Sequence, residues 1–355
     1  MTDLPVRLRP EILALPAYRQ GQAAPEGFKL SSNENPYDPL PGVLEAVDAA
    51  TRTLHRYPNA SAPEITERLA SEWGVDPDEV IVAAGSVALL MQFTMAAAGH
   101  GDEVLFSWRS FEVYPWMTVL PGATAVAVPN TPDHRHDLVA MAAAVTDRTR
   151  LAIVCSPNNP TSTVVTKAEF ETFMASVPSD LLVILDEAYA EFVTDPDAVD
   201  GHALVGRYPN LVILRTFSKA YGLAGLRIGY GIGPSAILAA ARTTIVPLSL
   251  TDHAQVAALA SLDRGDELKA RVDDIAARRD AVYEALLAHG WSDVPRPQGN
   301  FVWFPVGERT AEVLEVFRSH GIIARAYPPD GVRVTIGEQE SVEKLLYASA
   351  EIQGR

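Results

Sequence analysis

Short apolar runs alternate with segments of helical periodicity along roughly the first two thirds of the chain. Several runs are apolar at consecutive positions, which is typical of central strands that helices cover on both faces. One intervening helix is expected to begin at Thr166, because Glu169 completes a capping box three positions later. The pattern predicts an α/β fold with a mostly parallel sheet sandwiched by helices. The candidate strands are EVIVAA (79–84), DEVLFSW (102–108), TAVAVP (124–129), RLAIVCS (150–156), LLVILDEAY (181–189), NLVILRTFS (210–218) and LRIGYGIG (226–233).

The pattern changes after residue 246. Two helical stretches follow, one of them long and charged (266–290), and then the strand-like runs NFVWFPV, GIIARAY and GVRVTIG with a further helix between them. This arrangement predicts a second, smaller α+β domain. We expect residues 1–40 to form an N-terminal arm that contributes to the small domain, residues 41–246 to form the large domain, and residues 247–355 to form the small C-terminal domain.

Composition excludes several classes of function. The 355 residues are 48% hydrophobic and 21% charged, as expected of a globular protein with a large core. A formal net charge of −16 argues against a general binder of nucleic acid or anionic membranes, and no apolar run is long enough to cross a bilayer. The single cysteine, Cys155, and an N-terminus without a signal-peptide pattern indicate a cytoplasmic protein. The partners are therefore expected to be small molecules.

Polar residues that could bind a ligand or take part in catalysis follow several of the predicted strands. Asp186 ends an apolar strand, Asn159 lies in the turn SPNNPT, and Ser86 begins a helix directly after a strand. Lys219, one of five lysines, follows another strand. Ligands of open α/β sheets bind beyond the carboxyl ends of the strands, although each signal alone also fits a helix cap, a surface acid or an ordinary turn. The glycines of YGLAGLRIGYG do not match the dinucleotide fingerprint, because they do not link a first strand to its helix.

Together these groups match the needs of pyridoxal 5'-phosphate (PLP). That cofactor requires an amine for its aldehyde, a carboxylate for its ring nitrogen, and anchors for its phenolic oxygen and phosphate. A lysine serves as the amine because its pKa can fall far enough for it to act as nucleophile and base, which an arginine cannot do.

The order of motifs resembles the fold-type-I PLP-dependent aminotransferases, particularly the branch of histidinol-phosphate and aromatic (phenylalanine) aminotransferases. The resemblance covers nearly the whole chain, and the motifs SPNNPT, DEAY and SKAYGLAGLRIG are highly specific in this order. The motifs are LSSNENPY, RYPNAS, CSPNNPT, LDEAYAEF, RTFSKAYGLAGLRIGY and VRVTIG.

The resemblance implies a role for each matching position. Lys219 would hold the cofactor aldehyde and move the substrate proton, and Asp186 would pair with the ring nitrogen. Asn159 and Tyr189 would bind the ring oxygen, and Phe111 would stack on the ring where many relatives carry tyrosine. The phosphate would be held by Ser86, Val87, Thr216, Ser218 and Arg227.

The family also implies a substrate site and a homodimer. Arg333, with Arg325 beside it, would grip an anionic group of the substrate, and two arginines do not decide between a carboxylate and a phosphate. The motifs AAGSVALL, WRSFEVYPW and NFVWFP are more similar to the aromatic enzymes, with Tyr18 and Phe111 in an apolar wall. In this family the tyrosine of RYPNAS reaches the neighbouring subunit's cofactor, which implies that Tyr57 acts in trans.

We therefore expect an aminotransferase that moves the amino group of a phenylalanine-like amino acid to 2-oxoglutarate by a ping-pong mechanism. The alternatives are a histidinol-phosphate aminotransferase of histidine biosynthesis, a PLP-dependent phosphoamino-acid decarboxylase and a cofactor-binding regulatory module; the last would need a DNA-binding segment for which the chain has no spare length. No metal site is expected, because the eight histidines, including His134 and His136, lack companion ligands and are predicted to lie in surface loops.

Overall fold

The computed structural model describes residues 6–17 and 27–354. The strands of these ranges are β1 (Phe28–Lys29), β2 (Val80–Ala83), β3 (Glu103–Trp108), β4 (Thr124–Pro129), β5 (Thr149–Cys155), β6 (Leu182–Asp186), β7 (Leu211–Thr216), β8 (Gly229–Ile232), β9 (Phe301–Phe304), β10 (Ile322–Ile323), β11 (Arg325–Tyr327) and β12 (Gly331–Thr335). The α-helices are α1 (Pro10–Leu13), α2 (Val43–Thr51), α3 (Pro63–Trp73), α4 (Ser86–Ala97), α5 (Val113–Val119), α6 (Leu138–Ala143), α7 (Lys167–Ser176), α8 (Ser235–Arg242), α9 (Asp252–Leu262), α10 (Gly265–Ala288), α11 (Thr310–Ser319) and α12 (Gln339–Ile352).

A seven-stranded sheet forms the centre of the described chain, in the order β2–β8–β7–β6–β5–β3–β4. The strands from β7 to β4 pair in parallel, and β8 is antiparallel to both of its neighbours, β2 and β7. Six of the seven strands lie within the runs predicted from the sequence, and β5 begins one residue before its predicted run, at Thr149. The mostly parallel α/β fold is therefore confirmed.

Side chains of the central strands alternate between two apolar clusters on opposite faces of the sheet. On β5, Ala152 and Val154 face a cluster that includes α3, α7 and α9, whereas Leu151 and Ile153 face a cluster that includes α4, α5 and α8. This alternation follows from the two-residue period of a strand. It explains why these strands are apolar at consecutive positions.

A third apolar cluster contains α10, α11, α12 and the antiparallel sheet β11–β12–β9. The N-terminal strand β1 pairs in parallel with β10, and Leu30 packs in the same cluster. Helix α9 lies after residue 246 but packs in the first cluster, whereas the long helix α10 contributes mainly to the third. The domain limits given above stay a prediction.

Two local features can be compared with their predictions. The capping box of α7 is present, because Thr166 Oγ1 accepts the Glu169 N–H while the Glu169 carboxylate accepts the Thr166 N–H. The prediction that His136 lies on the surface is wrong: its side chain is buried in the DHRH loop, and burial lowers its pKa to about 4. Among the described helices, none has the length and apolar character needed to cross a membrane.

Candidate active site

A cavity of about 680 Å³ lies beyond the carboxyl ends of the central strands β5, β6 and β7. Its wall is completed by the N-terminus of α4, the segment that leads into α5, and the small sheet β11–β12. This is the position at which open α/β sheets bind ligands. The predicted residues that line it are Ser86, Val87, Phe111, Asn159, Asp186, Tyr189, Thr216, Ser218, Lys219, Arg227, Arg325 and Arg333.

Lys219 lies shortly after β7, and its Nζ donates a hydrogen bond to the Ser32 carbonyl oxygen at 2.9 Å. Burial, assisted by the positive charge of Arg333, lowers the pKa of this amine to about 7. Both effects disfavour the charged form. A substantial fraction of Lys219 is therefore a neutral amine near neutral pH.

Asp186 ends β6 with its side chain buried. Tyr114 Oη donates to its Oδ2 at 2.7 Å, whereas its Oδ1 accepts no hydrogen bond from the described residues. Burial raises the pKa of Asp186, and the bond from Tyr114 opposes that rise. A buried carboxylate oxygen without a donor is costly, so a cationic N–H in the cavity would be stabilised beside it.

One end of the cavity is suited to an anion. Helix α4 begins there after Gly85, which has a φ of 90°. Glycine adopts this angle without the strain that a residue with a side chain would suffer. A Cβ atom at Gly85 would lie 2.6 Å from Arg227 Nη2, so the guanidinium lies directly beside the start of the helix. Arg227 Nη1 also donates to Ser218 Oγ at 3.2 Å. Free backbone N–H groups, the helix dipole and a guanidinium favour a phosphate at this end.

Three side chains form the wall between the end suited to an anion and Asp186. Phe111 makes an edge contact with the ring of Tyr114, at 5.7 Å between centroids. Tyr189 Oη accepts a hydrogen bond from Asn33 Nδ2 at 2.9 Å, and Asn159 Oδ1 accepts one from Arg333. An aromatic face, a hydroxyl and an amide therefore surround the space between Lys219 and Asp186.

The two arginines lie opposite each other in the antiparallel pair of β11 and β12, where Arg325 and Arg333 are register partners. Arg333 is buried, and its Nη2 donates to the Ser31 carbonyl oxygen at 2.5 Å. Its Nε has no hydrogen-bond partner among the described residues. Arg325 instead pairs with a carboxylate, because its Nη2 lies 2.7 Å from Glu112 Oε2.

One predicted residue, Tyr57, does not line the described cavity. It is 84% exposed and lies elsewhere on the surface. Tyr18 lies outside the described residues, so its part in the substrate wall stays a prediction.

Four contacts at the site were not predicted. Glu112 and Tyr114 lie in WRSFEVYPW, and Ser32 and Asn33 lie in LSSNENPY; both runs carried the resemblance without a role for these positions. The helix and strand patterns of these two runs did not indicate the contacts, because each contact depends on packing against a distant segment. Cys155 lines the cavity, and burial raises its pKa to about 12, which makes it a poor nucleophile. Within residues 6–17 and 27–354, no cluster of side chains could hold a metal ion.

Comparison with known proteins agrees with this geometry. Residues 25–348 match the family model described as aminotransferase class I and II. An aromatic amino acid aminotransferase from Streptomyces avermitilis is 48% identical over 350 residues, covering 98% of this chain and 97% of the relative. An aromatic amino acid aminotransferase from Mycolicibacterium smegmatis is 49% identical, covering 96% and 94% respectively.

Solved structures show the same fold. Histidinol-phosphate aminotransferase from Sinorhizobium meliloti, in complex with pyridoxal-5'-phosphate, has a TM-score of 0.89 at 25% identity, covering 100% of this chain and 99% of that one. Aspartate aminotransferase from Thermus thermophilus with maleate has a TM-score of 0.80 at 26% identity, covering 92% and 91%. The expected fold-type-I architecture is confirmed.

Proposed function

Because this chain belongs to the class I and II aminotransferases, a PLP-dependent family, we propose that it moves the amino group of an aromatic amino acid to 2-oxoglutarate by a ping-pong mechanism. The observation that carries the substrate class is the near-full-length similarity to relatives named aromatic amino acid aminotransferase. The cavity supports it, since one of its two arginines is already paired with Glu112.

The residues present fit PLP. The unpartnered Oδ1 of Asp186 would accept the N–H of a protonated pyridine ring, and the amine of Lys219 is poised to bond the aldehyde. The start of α4 with Arg227 and Ser218 would hold the phosphate. When bound, PLP supplies an aldehyde that takes up the amino group and a ring that accepts the electron pair released at the substrate α-carbon.

The chain's own residues then have separable roles. Lys219 would take a proton from the substrate α-carbon and deliver it to the cofactor carbon that carried the aldehyde, a task for which a pKa near neutrality is suited. Asp186, which accepts a hydrogen bond from Tyr114, would keep the positive charge at the ring nitrogen. Asn159 and Tyr189 would orient the ring through its phenolic oxygen, and Phe111 would cover one face and exclude water.

The substrate would lie between Arg333 and the aromatic wall. Arg333 would bind the α-carboxylate, because its hydrogen-bond acceptors among the described residues, the Asn159 amide and the Ser31 carbonyl, are neutral and leave its positive charge uncompensated. Phe111 and Trp116 offer apolar surface for a ring, and an aromatic pair contributes about 0.5–1.5 kcal/mol beyond its burial.

We also propose a cytoplasmic homodimer with shared active sites. Several large apolar side chains are exposed on or near α2 and α9, and burying them against a second copy would remove apolar surface from water. Tyr57, which is 84% exposed, is one of these side chains and would reach the neighbouring cofactor phosphate. The exposed side chains are Leu44, Leu54, Tyr57, Val246 and Leu248.

The substrate proposal is tested by supplying single donors to the PLP-loaded enzyme with 2-oxoglutarate. We expect kcat/KM for L-phenylalanine, L-tyrosine or L-tryptophan to exceed that for histidinol phosphate by at least about tenfold, or about 1.4 kcal/mol at the transition state. A higher kcat/KM for histidinol phosphate would overturn the substrate class and leave the aminotransferase mechanism intact. Release of carbon dioxide from a phosphoamino acid, without amino transfer, would overturn both.

A further inference from the structure

Glu112 forms an ion pair inside the cavity that has no part in the cofactor contacts described above. It lies between Phe111 and the first residue of α5, and its side chain makes no capping bond to that helix. Its Oε2 lies 2.7 Å from Arg325 Nη2 on β11, so the pair joins the large sheet's side of the cavity to the small sheet. Both side chains line the cavity.

The two arginines of the cavity differ in the charge of their partners. Arg333 donates to a side-chain amide oxygen and a backbone carbonyl, which leave its positive charge uncompensated. Arg325 donates to a carboxylate, which neutralises it. A ligand therefore meets one available positive charge at Arg333 and a neutral pair where Arg325 lies.

An ion pair at this position would discriminate between ligands with one and two anionic groups. A second carboxylate or a phosphate that reaches Arg325 must displace Glu112 or lie beside it, and like charges at that distance repel each other. An uncharged side chain pays neither cost. Discrimination of this kind comes from a repulsive element in the site.

We propose that Glu112 is a specificity-determining residue of the substrate site, which weakens the binding of ligands with a second anionic group. The proposal rests on the aminotransferase function proposed above. It implies that the second carboxylate of 2-oxoglutarate must compete with Glu112 for Arg325, whereas an aromatic amino acid leaves the pair intact. Glu112 thus lowers the affinity for the acceptor 2-oxoglutarate relative to the affinity for the aromatic donor.

The test compares two unreactive ligands of equal chain length, glutarate and pentanoate, which differ by one carboxylate. Their dissociation constants are measured by calorimetry on the PLP-loaded protein. Because a partly exposed ion pair is worth up to about 1 kcal/mol, Glu112→Gln is expected to tighten glutarate about fivefold and to change pentanoate less than twofold. Glu34→Gln is the matched control, since Glu34 lines the same cavity but pairs with Lys29. It should not change the ratio of the two constants.

Arg325→Gln provides a second, independent variant. It should weaken glutarate selectively, and adding Glu112→Gln to it should then produce no gain, because the charge that Glu112 masks is gone. Equal tightening of both ligands by Glu112→Gln, or the same gain in the Arg325→Gln background, would overturn the proposal. Neither ligand contains an aromatic ring, so this result is independent of the assay with aromatic donors. Failure of that donor assay would overturn the aromatic substrate class alone.

Discussion

The lowered pKa of Lys219 makes the capture of PLP by the cofactor-free protein depend on pH in a defined direction. Only the neutral amine can attack the aldehyde carbon. Burial and the charge of Arg333 lower the pKa of Lys219 from 10.5 to about 7, so protonation blocks the reaction only below neutrality. The rate of capture should rise about tenfold per pH unit below pH 7 and level off above it.

The size of this effect follows from the two pKa values. At pH 7 an amine with a pKa of about 7 is about half neutral, whereas one with the ordinary pKa of 10.5 is neutral in about one molecule in 3,000. Lys219 should therefore capture the aldehyde at pH 7 about a thousandfold faster than an ordinary lysine of equal access. The gain disappears above pH 10.5, where both amines are neutral.

Stopped-flow absorbance of the cofactor measures the rate from pH 5.5 to pH 9. The phosphate of PLP titrates near pH 6, so pyridoxal, which lacks it, serves as the control ligand. Lys219→Ala reports the binding that remains without a covalent bond. Arg333→Gln should shift the midpoint to higher pH, because removing a nearby positive charge favours the protonated amine.

A midpoint above about pH 9 with both ligands would refute the reasoning, since it would mean that Lys219 is as solvated as a surface lysine. A midpoint that Arg333→Gln moves to lower pH would refute the assigned cause. A rate that is independent of pH would show that a step other than amine attack limits capture.

Three further predictions concern the other roles. Asp186→Asn should lower kcat by at least about a hundredfold, since the ring nitrogen loses its anionic partner. Tyr114→Phe should lower kcat less than about tenfold, because Asp186 keeps its charge. Equal losses of kcat in steady-state assays would contradict these separate roles of Asp186 and Tyr114. Arg227→Met should weaken PLP at least about tenfold without weakening pyridoxal, as measured by equilibrium dialysis, and parallel losses would place Arg227 outside the phosphate site. Mixed dimers of the Tyr57→Ala and Lys219→Ala chains should regain part of the activity that each lacks, because one of their two sites is intact; no recovery after confirmed subunit exchange would argue against a shared site.

The central sheet was predictable because its strands carry an unambiguous signal. Strands β5, β6 and β7 are apolar at consecutive positions, and polar residues lie at or within three residues of the carboxyl end of each strand. Parallel strands place those polar ends at one edge of the sheet, so the proximity of Asn159, Asp186 and Lys219 follows from the topology. Their roles came from the resemblance, since a carboxylate at a strand end does not by itself identify its ligand.

The pair of Glu112 and Arg325 was not predictable in the same way. Their chain neighbours pack in different apolar clusters, Phe111 and Val113 in one and Ala324 in another, and their contact depends on how the small sheet packs against the segment before α5. Local periodicity contains no information about that packing. The burial of His136 was missed for a related reason: the polar letters of DHRH predict a surface loop, although tertiary packing covers the imidazole and keeps it neutral.

The adjacent acids Asp186 and Glu187 show how one sequence motif supplies both function and stability. Glu187 is as buried as Asp186, but it is fully partnered: Arg215 Nε donates to its Oε2 at 2.8 Å, and the Gly201 N–H donates to its Oε1 at 2.8 Å. Consecutive positions along an extended chain point to opposite faces, so Asp186 borders the cavity while Glu187 binds Arg215 away from it. Strand β7 repeats the pattern, since Thr216 lines the cavity and Arg215 does not. Burial beside the sheet therefore does not by itself leave a carboxylate oxygen without a donor, and we propose that the unpartnered Oδ1 of Asp186 accepts a hydrogen bond from a cationic ligand in the cavity.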